Sequence, residues 1–182
     1  MFYDVSGVNS RISEVIGGGG MNLYQIRPNN LAVGRDEDEI MAKALGSGVA
    51  VCLYDEGSRA GGMVYTLFPD SRTDMKLLAD EKLKYVDTAL ECLTKEVEQL
   101  GAEREKLWAK VIGGAQIFRF ANGREQENIG RRNVAAVREW LKEHQIPIKA
   151  EDTGNNFGRT VRFRMQDGNV EIELVNKHKY YI

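Results

Sequence analysis

Cysteine and histidine are nearly missing from this chain: among 182 residues there are only Cys52, Cys92, His144 and His178. Two cysteines make no disulfide framework, and two histidines beside them give no zinc-type ligand spacing, so neither a structural metal nor a cofactor is expected. No stretch approaches the ~20 apolar residues that a membrane span requires. The N-terminus MFYDVSGVNSRISEVI lacks a basic segment leading into an apolar run, so direct membrane insertion is not expected and the cytoplasm is the expected location. Strong charge of one sign is also missing: a formal net charge of −2 gives no electrostatic case for nucleic acid or anionic lipid. What is present is ordinary for a globular chain, with 42% hydrophobic and 29% charged residues, enough for one domain with a sizeable core.

Proline occurs three times, and each marks a boundary. Before the first lies Gly17–Gly20, a run of four glycines read as a flexible joint between an extension over 1–20 and a folded body over 21–182. A phosphate-cradling loop is the competing reading, but no Gly-Lys-Ser/Thr follows. Asn22–Arg27 and Leu31–Val33 read as short strands broken at Pro28 and Asn29-Asn30. Asp36–Leu45 has helical propensity. Val49–Tyr54 and Ala60–Phe68 read as a buried hairpin turning at Asp55–Ser58, ended by Pro69.

Lys82–Leu100 repeats apolar residues at Tyr85, Ala89, Leu93, Val97 and Leu100, which predicts an amphipathic helix stopped by Gly101. Leu107–Ile112 is read as a strand entering Gly113-Gly114, with Ala115–Phe120 extended beyond it. A second amphipathic helix is expected over Asn133–Gln145, with Val134, Val137, Trp140 and Leu141 on one face and Pro147 closing it. Near the C-terminus Val161, Phe163 and Met165 alternate with arginines, and Val170, Ile172 and Leu174 with glutamates. A type I′ turn at Asp167-Gly168 would set Met165 opposite Val170, Arg164 opposite Glu171 and Arg162 opposite Glu173. That pairing argues for a solvated, charge-paired face and against a nucleic-acid stripe.

Several short motifs occur in order: LGSGVAV from Leu45, GGM from Gly61, PDS from Pro69, KYVDTAL from Lys84, GGAQIF from Gly113, IGRRN from Ile129 and IPIKAEDTGNNFGRTV from Ile146. Together, over about Leu31 to Leu174, this order resembles the bacterial chemoreceptor glutamine deamidases, the CheD family. The resemblance implies an α+β fold, a four-layer α/β/β/α sandwich of mixed sheets, and it places an extended segment over the second half of Asp36–Leu45 against that segment's helical propensity. It also implies hydrolysis of glutamine side-chain amides in chemoreceptors to glutamate and ammonia. Its implied partners are chemoreceptor cytoplasmic domains and a CheC-type phosphatase.

An amide carbon is a poor electrophile, so this chemistry calls for a thiolate activated by an imidazole. The histidine activates the thiol, protonates the departing ammonia and then activates water to cleave the thioester. Carried onto this sequence, the family's cysteine falls on Gly48, its histidine on Tyr65, and a supporting threonine on Ala42. Glycine offers no nucleophile, a phenol with a pKa of about 10 is a poor proton acceptor, and alanine has no hydroxyl. The resemblance further places Ser47, Gly113, Gly114, Gln116, Phe118, Asp152, Thr153 and Arg159 on a cleft or partner surface.

No neighbour replaces the missing thiol. Ser47 points to the opposite face if the segment is extended, and Cys52 lies roughly 13 Å along the strand at ~3.3 Å per residue. Cys52 and Cys92 are read as small core residues, and His144 and His178 as solvated or capping groups. The expectation is a pseudoenzyme that binds without turnover. An active deamidase with a rearranged site is the alternative, and a protein recruited to another assembly is the third reading.

Overall fold

The computed structural model describes residues 14–16, 21–73, 79–116 and 128–182. In chain order the strands are β1 Glu14–Ile16, β2 Leu23–Ile26, β3 Asn30–Arg35, β4 Glu39–Leu45, β5 Val49–Asp55, β6 Ala60–Thr66, β7 Trp108–Gly113, β8 Ile148–Thr153, β9 Arg159–Arg164, β10 Val170–Leu174 and β11 Lys179–Tyr181. The helices are α1 Val86–Gln99, between β6 and β7, and α2 Ile129–Glu143, between β7 and β8. One sheet has the order β1-β2-β4-β9-β10-β11 and the other β3-β6-β5-β7-β8. Both are mixed, because β2 runs parallel to β4 and β7 parallel to β8. The glycines at 17–20, and with them the expected joint, lie outside the described residues.

The period-two pattern decides where the cores form. Val49, Val51 and Leu53 of β5 point toward the helices and pack with Ala89, Leu93, Val97, Val134, Val137 and Leu141. Ala50, Cys52 and Tyr54 point the other way and meet Ile40, Ala42, Val161, Phe163 and Ile172 of the six-stranded sheet. Strands β5 and β6 are therefore buried at every position, as expected for strands covered on both faces.

The α+β class and the two stacked mixed sheets agree with the resemblance. Among the described residues three of the expected four layers are seen. Both helices cover the outer face of the five-stranded sheet, so among the described residues the order is helix, sheet, sheet. The outer face of the other sheet stays charged: Arg162 pairs with Glu39 at 2.9 Å, Lys179 with Glu171 at 2.8 Å and Lys177 with Glu173 at 2.9 Å. A helix laid there would have to desolvate these groups. No helix among the described residues is long and apolar enough to cross a membrane.

Two expected boundaries move for identifiable reasons. Helix α1 begins at Val86, not Lys82, because Tyr85 is extended and bridges Phe68, while the Leu67 and Phe68 amides donate to the Lys84 carbonyl. Residues Ala79–Lys84 form a 3-10 turn instead. Helix α2 begins earlier than expected, at Ile129, because the Asn128 side chain accepts from the Arg131 amide at 3.0 Å and caps it.

The C-terminal hairpin keeps its faces but shifts its register by two. Val170 lies opposite Phe163 and Ile172 opposite Val161, while Glu171 faces Arg162 and Glu173 faces Thr160. A type I′ turn requires positive φ at both central residues, and here only Gly168, at 67°, has it. The wider loop closes through Gly168 N–H to the Arg164 carbonyl at 3.0 Å, and Asp167 accepts from the Asn169 amide at 2.9 Å. An even shift leaves every side chain on its expected face, so the apolar set still reaches the core.

Candidate functional site

Strand β4 carries a register irregularity between Ala42 and Leu45, and Ala44 within it adopts φ 56°. Such a bulge re-aims the backbone locally. The Ala44 carbonyl accepts from the Tyr65 hydroxyl at 3.5 Å, the long limit for a hydrogen bond. Tyr65 is 4% exposed and points into the core between the two sheets. Burial raises its pKa above the ordinary phenol value, so the ring is a neutral donor at physiological pH.

Gly48 is buried directly against this ring. A β-carbon built on Gly48 would lie 2.6 Å from Tyr65 Cε2, 2.7 Å from the Thr66 carbonyl oxygen and 2.9 Å from Leu67 Cδ2. Real β-carbons do not approach that closely, so the volume a nucleophile's side chain would need is already filled. The structure thus brings Gly48 and Tyr65 together. Ala42 is wholly buried between Ile26 and Val161 in the facing sheet and shares the inter-sheet core with Tyr65.

The glycine pair after β7 supports the same loop from the other side. Gly114 donates to the Gly48 carbonyl at 2.9 Å, and Ala115 to the Gly46 carbonyl at 2.9 Å. Gly113 and Gly114 have φ of 114° and 65°, and a β-carbon on Gly113 would sit 2.5 Å from the Gly48 oxygen. Only glycine fits so close an approach with that backbone. Helix α2 is clamped on the same point, since a β-carbon on Gly130 would lie 2.4 Å from the Gly114 oxygen.

Asn133 completes the arrangement, and sequence reasoning passed over it. It is fully buried, and its Nδ2 donates to the Ser47 carbonyl at 2.9 Å and the Leu67 carbonyl at 2.8 Å. These residues flank Gly48 and Tyr65 in the chain, so a single amide ties both segments to α2. Its Oδ1 is buried with no partner. The readable signal was a polar residue on the apolar stripe of α2, in register with Val137 and Trp140. Ser47 itself is half-buried and takes part through its carbonyl.

The remaining expected site residues divide between a cleft and a buried lock. A cleft of about 710 Å³ is lined by Gly114, Gln116, Asn128, Arg131, Arg138 and Thr153, among others. Gln116 accepts from Asn128 Nδ2 at 3.1 Å, and Arg138 forms a two-point pair with Glu151 at 3.0 and 2.8 Å. Arg159, by contrast, is 1% exposed and faces no surface. It makes two hydrogen bonds to Asp152 at 3.0 and 2.9 Å and donates to the Gly154 and Phe157 carbonyls, while the Tyr180 hydroxyl also donates to Asp152. Burial would raise the Asp152 carboxyl, but the hydrogen bonds from Arg159 and Tyr180 prevail and hold it below the usual range. Burial and the Asp152 contact push Tyr180 up to about 12. This group fastens β8, β9 and β11 together. Phe118 lies outside the described residues, as does most of the extended segment expected over 115–120.

Neither cysteine is poised as a nucleophile. Cys52 is fully buried and its thiol is raised well above the ordinary range by desolvation; half-buried Cys92 is raised for the same reason. His144 stacks on Trp140 with its Nδ1 2.8 Å from the Trp140 carbonyl, and His178 is exposed in the last turn. No group of three or more His, Cys, Asp or Glu among the described residues could hold a metal ion.

The comparisons agree with this architecture. The model of the family described as CheD chemotactic sensory transduction matches residues 67–174. The chain is 39% identical over 156 residues to the probable chemoreceptor glutamine deamidase CheD of Lachnoclostridium phytofermentans, covering 85% of this chain and 95% of that protein. It is 42% identical over 138 residues to the chemoreceptor glutamine deamidase CheD of Halalkalibacterium halodurans, covering 76% and 85%. A probable chemoreceptor glutamine deamidase CheD of Clostridium botulinum is 40% identical over 157 residues, covering 85% and 96%. With most of both chains aligned at this identity, and a family match over more than half its length, this chain belongs to the CheD family of chemotaxis proteins.

Proposed function

We propose that this chain is a non-catalytic CheD-family protein that acts in the cytoplasm by binding chemoreceptor cytoplasmic segments or a CheC-type phosphatase, without converting glutamine to glutamate. The packing of Tyr65 on Gly48 carries the reading. Hydrolysis of a glutamine amide through an acyl-enzyme requires a nucleophile whose proton an adjacent base removes. At the positions matching the family's couple stand a glycine and a buried neutral phenol, with no free volume between them. In a well-studied serine hydrolase, loss of the nucleophile alone lowers turnover on the order of a million-fold. Recognition depends on other groups, and the cleft lined by Gln116, Asn128 and Thr153 remains beside the closed position.

The test is to incubate the purified protein with a receptor cytoplasmic domain from the same organism, measuring glutamine-to-glutamate conversion by mass spectrometry and association by pull-down. Association without conversion supports the proposal. Time-dependent conversion that persists in Ser47→Ala and Cys52→Ala variants establishes a rearranged active site instead. Absence of association with both receptors and a CheC-type protein assigns the chain to another assembly.

A further inference from the structure

Helix α2 separates two clefts of opposite predominant charge. On one side lies the cleft of about 710 Å³ beside the closed position, whose lining among the described residues holds Arg131 and Arg138 and no aspartate or glutamate. On the other side a cleft of about 640 Å³ is lined by Asp70, Asp87, Glu139 and Glu143 against Arg72 and Arg132. In a chain with a formal net charge of −2, the acid-free lining is a local reversal of sign. Such a patch draws in a negatively charged surface and disfavours a positive one.

The two arginines of the first cleft are not equally available. Arg138 is engaged in its two-point pair with Glu151. Arg131 is exposed, and only its backbone amide is held, by the Asn128 side chain; its guanidinium has no hydrogen bond or ion pair among the described residues. The side-chain amides of Asn155 and Asn156 line the same cleft, also without a partner among the described residues. Gln116, whose oxygen accepts from Asn128, keeps its NH2 free. A guanidinium in a cleft with amide N–H donors suits a carboxylate, which accepts through two charged oxygens. A primary amide offers one neutral oxygen and brings hydrogens that an arginine cannot accept.

We propose that this cleft docks an acidic partner segment whose carboxylate pairs with Arg131, so that the protein favours a partner in its glutamate form over its glutamine form. This rests on the binding reading above and gives it a direction: a segment is held better after its amide has been hydrolysed than before. Because Arg131 is solvent-exposed, the preference is modest and weakens with salt.

The test measures the affinity of the wild type, Arg131→Gln and Arg132→Gln for a receptor cytoplasmic domain carrying glutamate, and then glutamine, at its modified positions. At low ionic strength the wild type is expected to bind the glutamate form about fivefold more tightly, which corresponds to about 1 kcal/mol. The preference should shrink as salt is raised. Arg131→Gln is expected to hold the two forms within about twofold of each other. Arg132→Gln, which alters the other cleft, is expected to keep the preference.

Equal binding of the two forms by the wild type, tighter binding of the glutamine form, or a glutamate preference that persists in Arg131→Gln overturns the proposal while the binding reading stands. Absence of binding to both forms removes the binding reading and the proposal with it.

Discussion

Tyr65 and Gly48 are sterically coupled: the tyrosine ring lies 2.6 Å from where a β-carbon at position 48 would stand. Neither residue can be enlarged or reshaped without consequences for the other. Gly48→Cys alone is expected to destabilise the fold by about 1–3 kcal/mol, the usual cost of overpacking. Combining it with Tyr65→His should recover part of that loss, with a favourable coupling above about 0.5 kcal/mol in a double-mutant cycle measured by urea unfolding. Because the Thr66 carbonyl also crowds the position, recovery should be incomplete. Additive losses would show that the ring is not the obstacle.

Asn133 ties the two segments together, and its substitution should be costly in a defined order. Asn133→Ala leaves the Ser47 and Leu67 carbonyls without their donor and should cost about 1–3 kcal/mol. Asn133→Asp should cost more, since a carboxylate would face two carbonyl oxygens in a buried site. Chemical denaturation of the two variants decides the order.

Gly130→Ala tests whether helix propensity or packing governs the start of α2. Alanine is the better helix former by about 1 kcal/mol, which alone predicts stabilisation. Its β-carbon, however, would meet the Gly114 carbonyl at 2.4 Å, a backbone atom that cannot rotate away. Net destabilisation is expected in a thermal melt.

The Asp152–Arg159 pair predicts a pH dependence with a definite sign. Asp152 is lowered in the folded state, so its contribution is fully present above the unfolded carboxylate value of about 4 and is lost as pH falls through the folded value. Asp152→Asn should therefore be most damaging near neutral pH, and the gap to wild type should narrow in acid. At neutral pH, leaving the wholly buried Arg159 side chain without its partner should cost about 3–5 kcal/mol. Tyr180 has the opposite sign: its raised pKa makes its contribution fall as pH climbs from about 10 toward about 12. Urea midpoints measured against pH, with Tyr180→Phe as a control, check both limbs.

Cys52 should resist alkylation until the protein unfolds, whereas half-buried Cys92 should label faster. Peptide mapping after timed exposure to a thiol reagent distinguishes them. Rapid native labelling of Cys52 would reopen the possibility that it serves as a nucleophile.

The hairpin of β5 and β6 and the apolar faces of both helices were readable because each depends on a local pattern, whereas the residues of β4 read as helical and only the family resemblance placed an extended segment there. Val49 to Tyr54 is a short apolar run with β-branched residues that ends in a turn, as a strand covered on both faces must be, and Val134, Val137, Trp140 and Leu141 recur as a helix face must. The start of α1 was not readable, since it is decided by Phe68 and Tyr85, far apart in sequence and bridged in space. The C-terminal register was misread because Asp167-Gly168 resembles a two-residue turn, while the longer loop closing on the Arg164 carbonyl prevails.

The order of motifs determined the family, and the identities at 42, 48 and 65 determined that these three positions carry neither a thiol nor an imidazole, because side-chain chemistry belongs to the residue wherever it sits. The sequence could not tell that position 48 is filled rather than merely emptied, that Arg159 is a buried fastener, or that Asn133 holds both segments to α2. Those facts depend on distances between residues up to 86 positions apart in the chain, which packing alone sets.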